Sequence, residues 1–278
     1  RPDNKATYRI RITADSAYTA LANGRLMDRR IGAGRTTWLY RQAEPTATYL
    51  ATLQIGRYDV RRLSSSPVPQ LLLAPTALQT GAASDLDRQP AMIRVFNDLF
   101  GRYPFEDYLV VVTQDELEIP LEAQGMAVFG ANHLTGHRRF ERLVAHELAH
   151  QWFGNSLTLA AWPDVWLHEG FACYAEWLWS ERSGGDSADR LARHHHTRLA
   201  RSAQDLVVTD PGAEKMFDDR LYKRGALTLH AVRSTLCDPA FFAMLKDWAT
   251  KFRHGTVTTQ LFAEHVAAPL ALRALPVP

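Results

Sequence analysis

The sequence predicts an α+β fold, and three observations carry that prediction. The first sixty residues alternate apolar and polar side chains with the two-residue period of strands. From Arg138 onward the apolar spacing is helical. Between these regions, Ser64-Ser65-Ser66-Pro67-Val68-Pro69 interrupts the pattern with small polar residues and prolines, the composition of a connector. The expected organisation is a partial N-terminal β domain over residues 1–66, part of a β-sandwich. A second domain over residues 67–278 then combines a small sheet with a helical half.

Taken in order, Tyr8, Ile10 and Ile12 alternate with Arg9, Arg11 and Thr13 and predict a half-buried strand. Asn23-Gly24 is a hairpin-turn signal. Thr36 to Tyr40 and Thr48 to Ile55 are β-branched and aromatic runs that predict further strands. Gly32-Ala33-Gly34 lies between two such runs. A phosphate loop needs a strand before it and a helix after it, so a plain turn is expected. Asp85 to Phe100 places Met92, Ile93, Val95, Phe96, Leu99 and Phe100 at helical spacing, with Gly101 as its C-terminal glycine. Tyr108 to Thr113 and Met126 to Phe129 read as short strands. Helices are expected near 138–154, 164–182, 186–204, 215–235, 238–252 and 258–267.

Composition excludes several classes. Of 278 residues 46% are hydrophobic and 22% charged, which rules out whole-chain disorder and coiled coil. A net charge of +2 leaves no strong footprint for nucleic acid. The apolar runs fall short of the ~18 residues of a membrane span. Two cysteines, Cys173 and Cys237, cannot staple a scaffold, so a reducing compartment and a cytoplasmic location are expected. The chain opens on Arg1 and enters a strand at once, and it closes on an apolar stretch, Leu270 to Pro276, unlike a finished domain edge. It therefore reads as lacking its ends.

The informative core is His146-Glu147-Leu148-Ala149-His150. Histidines at i and i+4 lie one helical turn apart, so both imidazoles reach one metal ion. The intervening Glu147 reaches the water to be activated and leaves the metal to the histidines. A catalytic zinc needs a third protein ligand. Trp166-Leu167-His168-Glu169-Gly170-Phe171-Ala172 offers Glu169, with residues 151–168, eighteen in all, in between. That gap ends one helix near Gly154-Asn155, crosses a loop broken at Trp162-Pro163 and starts a second helix alongside.

His146 to Gly154 followed by Glu169-Gly170-Phe171-Ala172 resembles the gluzincin aminopeptidases of the aminopeptidase N family, which also contains a leukotriene epoxide hydrolase. The resemblance covers most of the chain. Asp3-Asn4-Lys5-Ala6-Thr7-Tyr8 and Ala22-Asn23-Gly24 resemble the end of that family's N-terminal β domain. Gly101-Arg102-Tyr103-Pro104-Phe105 resembles the start of its thermolysin-like catalytic domain. The family's Gly-Ala-Met-Glu-Asn motif aligns with Ile119-Pro120-Leu121-Glu122-Ala123, where only the glutamate is kept. Tyr222-Lys223-Arg224-Gly225 resembles the segment carrying its catalytic tyrosine.

The resemblance implies a thermolysin-like zinc metallopeptidase domain holding one Zn2+ through His146, His150 and Glu169. It implies hydrolysis of the N-terminal peptide bond of peptides through a metal-activated water, with Glu147 as general base. Tyr222 becomes the oxyanion donor and Glu122 the partner of the substrate's free α-ammonium. Two family features have no counterpart in these residues: a further acidic contact to the amine, and a C-terminal helical domain. The alternative is a truncated, inactive member that binds zinc or peptide without turnover. Asp164 and Glu176 are each either a partner that orients a metal-bound histidine or a surface salt bridge. His194-His195-His196 points around its helix, so an exposed polar turn is expected there. Cys173, among apolar neighbours, reads as a buried small residue without a nucleophilic role.

Overall fold

The computed structural model describes residues 1–273 and is α+β, as the sequence predicts. The proline-ended close of the apolar tail, residues 274–276, lies outside the described residues. The chain divides into two compact units. One comprises Asn4–Arg94 and Tyr103–Gln151; the other comprises Arg1–Asp3, Val95–Arg102 and Trp152–Pro278.

The first unit opens with β1 (Lys5–Asp15), β2 (Thr19–Ala22), β3 (Arg25–Gly32), β4 (Arg35–Ala47) and β5 (Leu53–Gly56). Strands β1, β4 and β3 form an antiparallel sheet, and β2 pairs with β5. The expected alternation holds: Ile12, Trp38 and Tyr40 pack with Ala20 and Ala22, while Arg9, Arg11 and Arg41 are exposed. Gly32-Ala33-Gly34 is a plain turn. Ala33 and Gly34 have φ of 50° and 72°, the left-handed pair of a type I′ hairpin.

Two expected elements differ. Thr48–Leu50 is a short 3-10 turn, so the strand predicted from Thr48 begins only at Leu53. Asn23-Gly24 is no hairpin, because β2 and β3 pair with different strands. Asn23 is buried instead, and its side chain bonds three backbone groups. Gly24 has φ of 84°, and a Cβ there would lie 2.3 Å from the Arg41 carbonyl oxygen. Close packing against β4 therefore selects the glycine.

The same unit continues with β6 (Asp59–Ser64), β7 (Gln70–Ala74), α1 (Gln79–Asp85), the start of α2 (Gln89–Phe100), whose residues from Val95 onward belong to the second unit, then β8 (Tyr108–Val112), β9 (Met126–Phe129) and α3 (Glu141–Ala149). The sheet order is β6-β7-β8-β9, with β7, β8 and β9 parallel and β6 antiparallel at the edge. The serine-proline run thus joins two paired strands of one sheet. Every residue of β8 and β9 is buried. Parallel strands covered on both faces read as continuous apolar runs, which is how these two appear in the sequence. Leu73, Leu109, Val111, Met126 and Val128 share one face with Leu21 of β2. Where one helix is expected over 85–100, a first helix, α1, already ends at Asp85 and the expected one, α2, begins only at Gln89, since Pro90 lacks the N–H that a helix running through from Asp85 would use. Asp85 closes the first and accepts from the backbone N–H groups of Gly136 and Arg138.

The second unit holds β10 (Thr158–Leu159), α4 (Trp166–Arg182), α5 (Ala188–Leu199), α6 (Asp219–Leu236), α7 (Asp238–Lys251), β11 (Thr256–Val257) and α8 (Thr259–Arg273). Its core is an aromatic chain. Phe100 meets Phe153 at 5.0 Å between ring centroids, Phe153 meets Phe171 at 4.5 Å, Phe171 meets Phe262 at 5.3 Å, and Phe262 meets Trp248 at 5.2 Å. The Trp152 Nε1–H donates to the Gly101 carbonyl at 2.9 Å, satisfying a buried indole. Gly101, at φ of 91°, ends α2 as expected.

Candidate metal centre

Helix α3 is shorter than its sequence pattern. His150 lies just past its end but keeps helical geometry, and its N–H donates to the His146 carbonyl at 3.2 Å. The i, i+4 relation of the two histidines is therefore intact, with ring centroids 4.8 Å apart. The chain then tightens, Gln151 N–H donating to Leu148, and leaves the helix through Gly154 at φ of 135°.

Trp162–Asp164 is the expected break, a 3-10 turn with Pro163 inside it. Val165 then leads directly into α4, and the Glu169 N–H donates to its carbonyl. Three side chains converge. His146, His150 and Glu169 are all buried, and each offers a ligand atom within 4.8 Å of the others. Among the described residues this is the one such cluster of His, Cys, Asp and Glu. Two imidazoles and one carboxylate form a donor set suited to catalytic zinc, which leaves a coordination position for a reactant. The chemistry of the donors therefore fits the metal.

Glu147 is also buried, at 4% exposure. Burial and then the neighbouring Glu147 charge hold the Tyr108 phenol well above its ordinary pKa, so Tyr108 stays protonated beside that carboxylate. Glu122 is half-buried, in the connection before β9. Tyr222 is half-buried in the first turn of α6. Helices α4 and α6 approach backbone to backbone: a Cβ on Gly170 would lie 2.7 Å from the Gly225 Cα. This contact sets the spacing of the helices that carry Glu169 and Tyr222.

The residues with open alternatives resolve differently. Among the described residues Asp164 bonds no histidine and forms no salt bridge. Its Oδ1 accepts from Thr259 N–H at 2.9 Å and Oγ1–H at 2.6 Å, while Trp166 Nε1–H donates to Thr259 Oγ1 at 2.8 Å. Glu176 is buried on α4, which excludes the surface role. His168 accepts the Leu159 N–H at Nε2, 3.0 Å, so it braces β10 against α4. Cys173 is fully buried, and burial raises its thiol pKa, consistent with no nucleophilic role. The Lys223 Nζ donates to its sulfur at 3.2 Å, a contact no sequence signal announces.

His194 and His196 are exposed, but His195 is half-buried and stacks on Trp177 at 5.2 Å with planes 2° apart. Burial, aided by the charges of Lys223 and Arg198, lowers its pKa to about 4. An unfolded histidine titrates near 6.5. As pH falls from about 6.5 to about 4 the unfolded chain therefore takes up this proton first, and stability declines over that window. Thermal melts at pH 7 and pH 5 should show a smaller loss for His195→Gln than for the wild type.

Comparison with known proteins decides the family. The Peptidase family M1 domain matches residues 84–274. The chain belongs to peptidase family M1. An M1 zinc metallopeptidase from Deinococcus radiodurans has a TM-score of 0.83 and 33% sequence identity, covering 99% of this chain and 66% of that one. A mutant M1 zinc metallopeptidase from the same organism, bound to Tyr-Ser-Ala substrate, has a TM-score of 0.85 at 31% identity over 99% of this chain and 66% of that one. Glutamyl aminopeptidase of Sus scrofa is 26% identical over 95% of this chain and 30% of its own length. The chain thus spans about a third of the length of the curated aminopeptidases it matches. Among the described residues no helix is long and apolar enough to cross a membrane.

Proposed function

We propose that this M1 chain is a zinc-dependent aminopeptidase that removes the N-terminal residue of peptides. The observation that carries the reading is the convergence of His146, His150 and Glu169 with Glu147 in the same histidine-bearing helix. These three residues hold one zinc ion per chain. When bound, zinc supplies Lewis acidity at the scissile carbonyl. Glu147 takes the proton of the attacking water on its carboxylate and delivers it to the departing amine. The Tyr222 hydroxyl donates to the oxyanion that develops on the carbonyl oxygen. The Glu122 carboxylate pairs with the free α-ammonium, which positions the chain end and disfavours blocked termini. The relative bound to Tyr-Ser-Ala supports a short peptide with a free N-terminus as substrate. Two free thiols, one buried and one exposed, suit a reducing compartment such as the cytoplasm.

The test is release of tyrosine from Tyr-Ser-Ala and from its N-acetylated form by zinc-loaded protein. Turnover of the free peptide alone is expected. Equal turnover of both forms would remove Glu122 from its role, and absence of turnover with zinc bound would favour the binding-only alternative. Tyr222→Phe should lower kcat by about 10²–10³-fold with little change in KM. An unchanged kcat would exclude the oxyanion assignment.

A further inference from the structure

Glu122 is followed immediately by a tight turn. The Met126 N–H donates to the Ala123 carbonyl at 3.0 Å, and Gly125 has φ of 74°, the signature of a type II turn. The Leu109 N–H donates to the Gly125 carbonyl at 3.0 Å, and three more hydrogen bonds reach the turn from buried side-chain amides. On one side Gln151 Oε1 accepts the Gly125 N–H at 2.8 Å, and Gln151 Nε2 donates to the Ala123 carbonyl at 3.2 Å. The same Nε2 faces the Glu147 carbonyl at 3.5 Å. On the other side Asn23 Nδ2 donates to the Gln124 carbonyl at 2.9 Å and to the Leu50 carbonyl at 3.0 Å. Its Oδ1 accepts from the Thr52 N–H. Gln151 is completely buried and Asn23 is 1% exposed.

A side-chain amide is the group that offers a donor and an acceptor in one rigid plane. Gln151 uses both on a single turn while standing next to His150. Replacing it strands a buried N–H or C=O without a partner. Such bonds hold the backbone of residues 123–125 in register with the last turn of α3.

We propose that Gln151 is a positioning residue for the amine subsite. It locks the turn after Glu122 to the end of the helix that carries His146 and His150, and Asn23 closes the clamp from β2. Glu122 is thereby held at a set distance from the metal ligands on α3, which is what measuring one residue from a chain end demands. This role rests on the reading of Glu122 as the ammonium partner.

The experiment compares the wild-type protein with Gln151→Glu, which sets a carboxylate oxygen against the Ala123 carbonyl where Nε2 donated, so that repulsion pushes the turn away and loosens the Gly125 N–H contact with it. Hydrogen exchange at Gly125 and steady-state kinetics on Tyr-Ser-Ala are both read. In the wild type the Gly125 N–H should be strongly protected for a turn. In the variant zinc content should stay the same, Gly125 should exchange about tenfold faster or more, and KM should rise roughly ten- to a hundredfold. The change in kcat should be much smaller, and the preference for the free over the acetylated peptide should shrink. A variant with unchanged KM and preference, or one that loses kcat alone, overturns the proposal. So does a wild-type Gly125 N–H that exchanges like an open loop. Should Gln151→Glu not fold, Asn23→Ser loosens the other side of the clamp and is read in the same way. Wild-type protein that cleaves both peptides equally overturns the Glu122 assignment and this role with it. An intact preference with no response to Gln151→Glu overturns the clamp alone.

Discussion

Glu147→Gln protein is expected to bind zinc as the wild type does and to hydrolyse Tyr-Ser-Ala about 10²–10⁴-fold more slowly. The substitution conserves size inside a packed helix, so α3 and both histidines stay in place. What it removes is an acceptor for the water's proton. Glu169→Gln makes the same chemical change on α4 and should do something different, namely weaken zinc binding, because that carboxylate is one of the three convergent donors. Metal analysis beside kinetics separates the two outcomes. Loss of zinc from Glu147→Gln would mean that its carboxylate maintains the metal site, and full activity would exclude it as the base.

Gly170→Ala and Gly225→Ala should each destabilise the protein by about 1–3 kcal/mol. Alanine is favoured over glycine in a helix by roughly 0.5–1 kcal/mol, so the sign depends on space. A Cβ on Gly170 would meet the Gly225 Cα at 2.7 Å and its carbonyl carbon at 3.0 Å. A Cβ on Gly225 would meet the Gly170 Cα at 2.7 Å. These are backbone atoms and cannot swing aside, so the helices must part and overpacking wins. The same displacement separates Glu169, adjacent to one glycine, from Tyr222, three residues before the other. A shift of about 1 Å can cost 10²-fold in rate. Activity should therefore fall by more than the loss of folded protein explains, as measured by thermal unfolding together with kcat. Unchanged melting and rate for both variants would show that the α4–α6 spacing tolerates a methyl group.

The convergence of His146, His150 and Glu169 was legible in the sequence because its geometry is local. His146 and His150 are one turn apart, and Glu169 follows a break that Pro163 marks. The helical half was legible for the same reason, since each helix carries its own apolar period. What could not be read depends on partners distant in sequence. Asn23-Gly24 carries a turn signal, but its true contacts are Leu50, Thr52 and Gln124. Gln151 looks like the next residue of an amphipathic helix, and its hydrogen bonds to Ala123 and Gly125 leave no periodic trace. The Ser64–Pro69 run has the composition of a connector whether it joins domains or, as here, the paired strands β6 and β7. Gly170 and Gly225 look unremarkable until α4 and α6 are laid together. Glu122 and Tyr222 became candidates through resemblance alone, since an isolated glutamate in a loop or tyrosine on a helix carries no signature of its own.

The contact among Asp164, Trp166 and Thr259 has a mechanical consequence. Thr259 is the first residue of α8, and Trp166, bonded to its hydroxyl, is the first of α4, three positions ahead of Glu169. Helix α8 therefore has a handle on the root of α4, the helix that carries Glu169. A load pulling on α8 enters α4 less than one turn from Glu169. Tension on α8 thus arrives in α4 beside Glu169, whereas a pull on α5, which joins α4 beyond its far end, arrives several turns away.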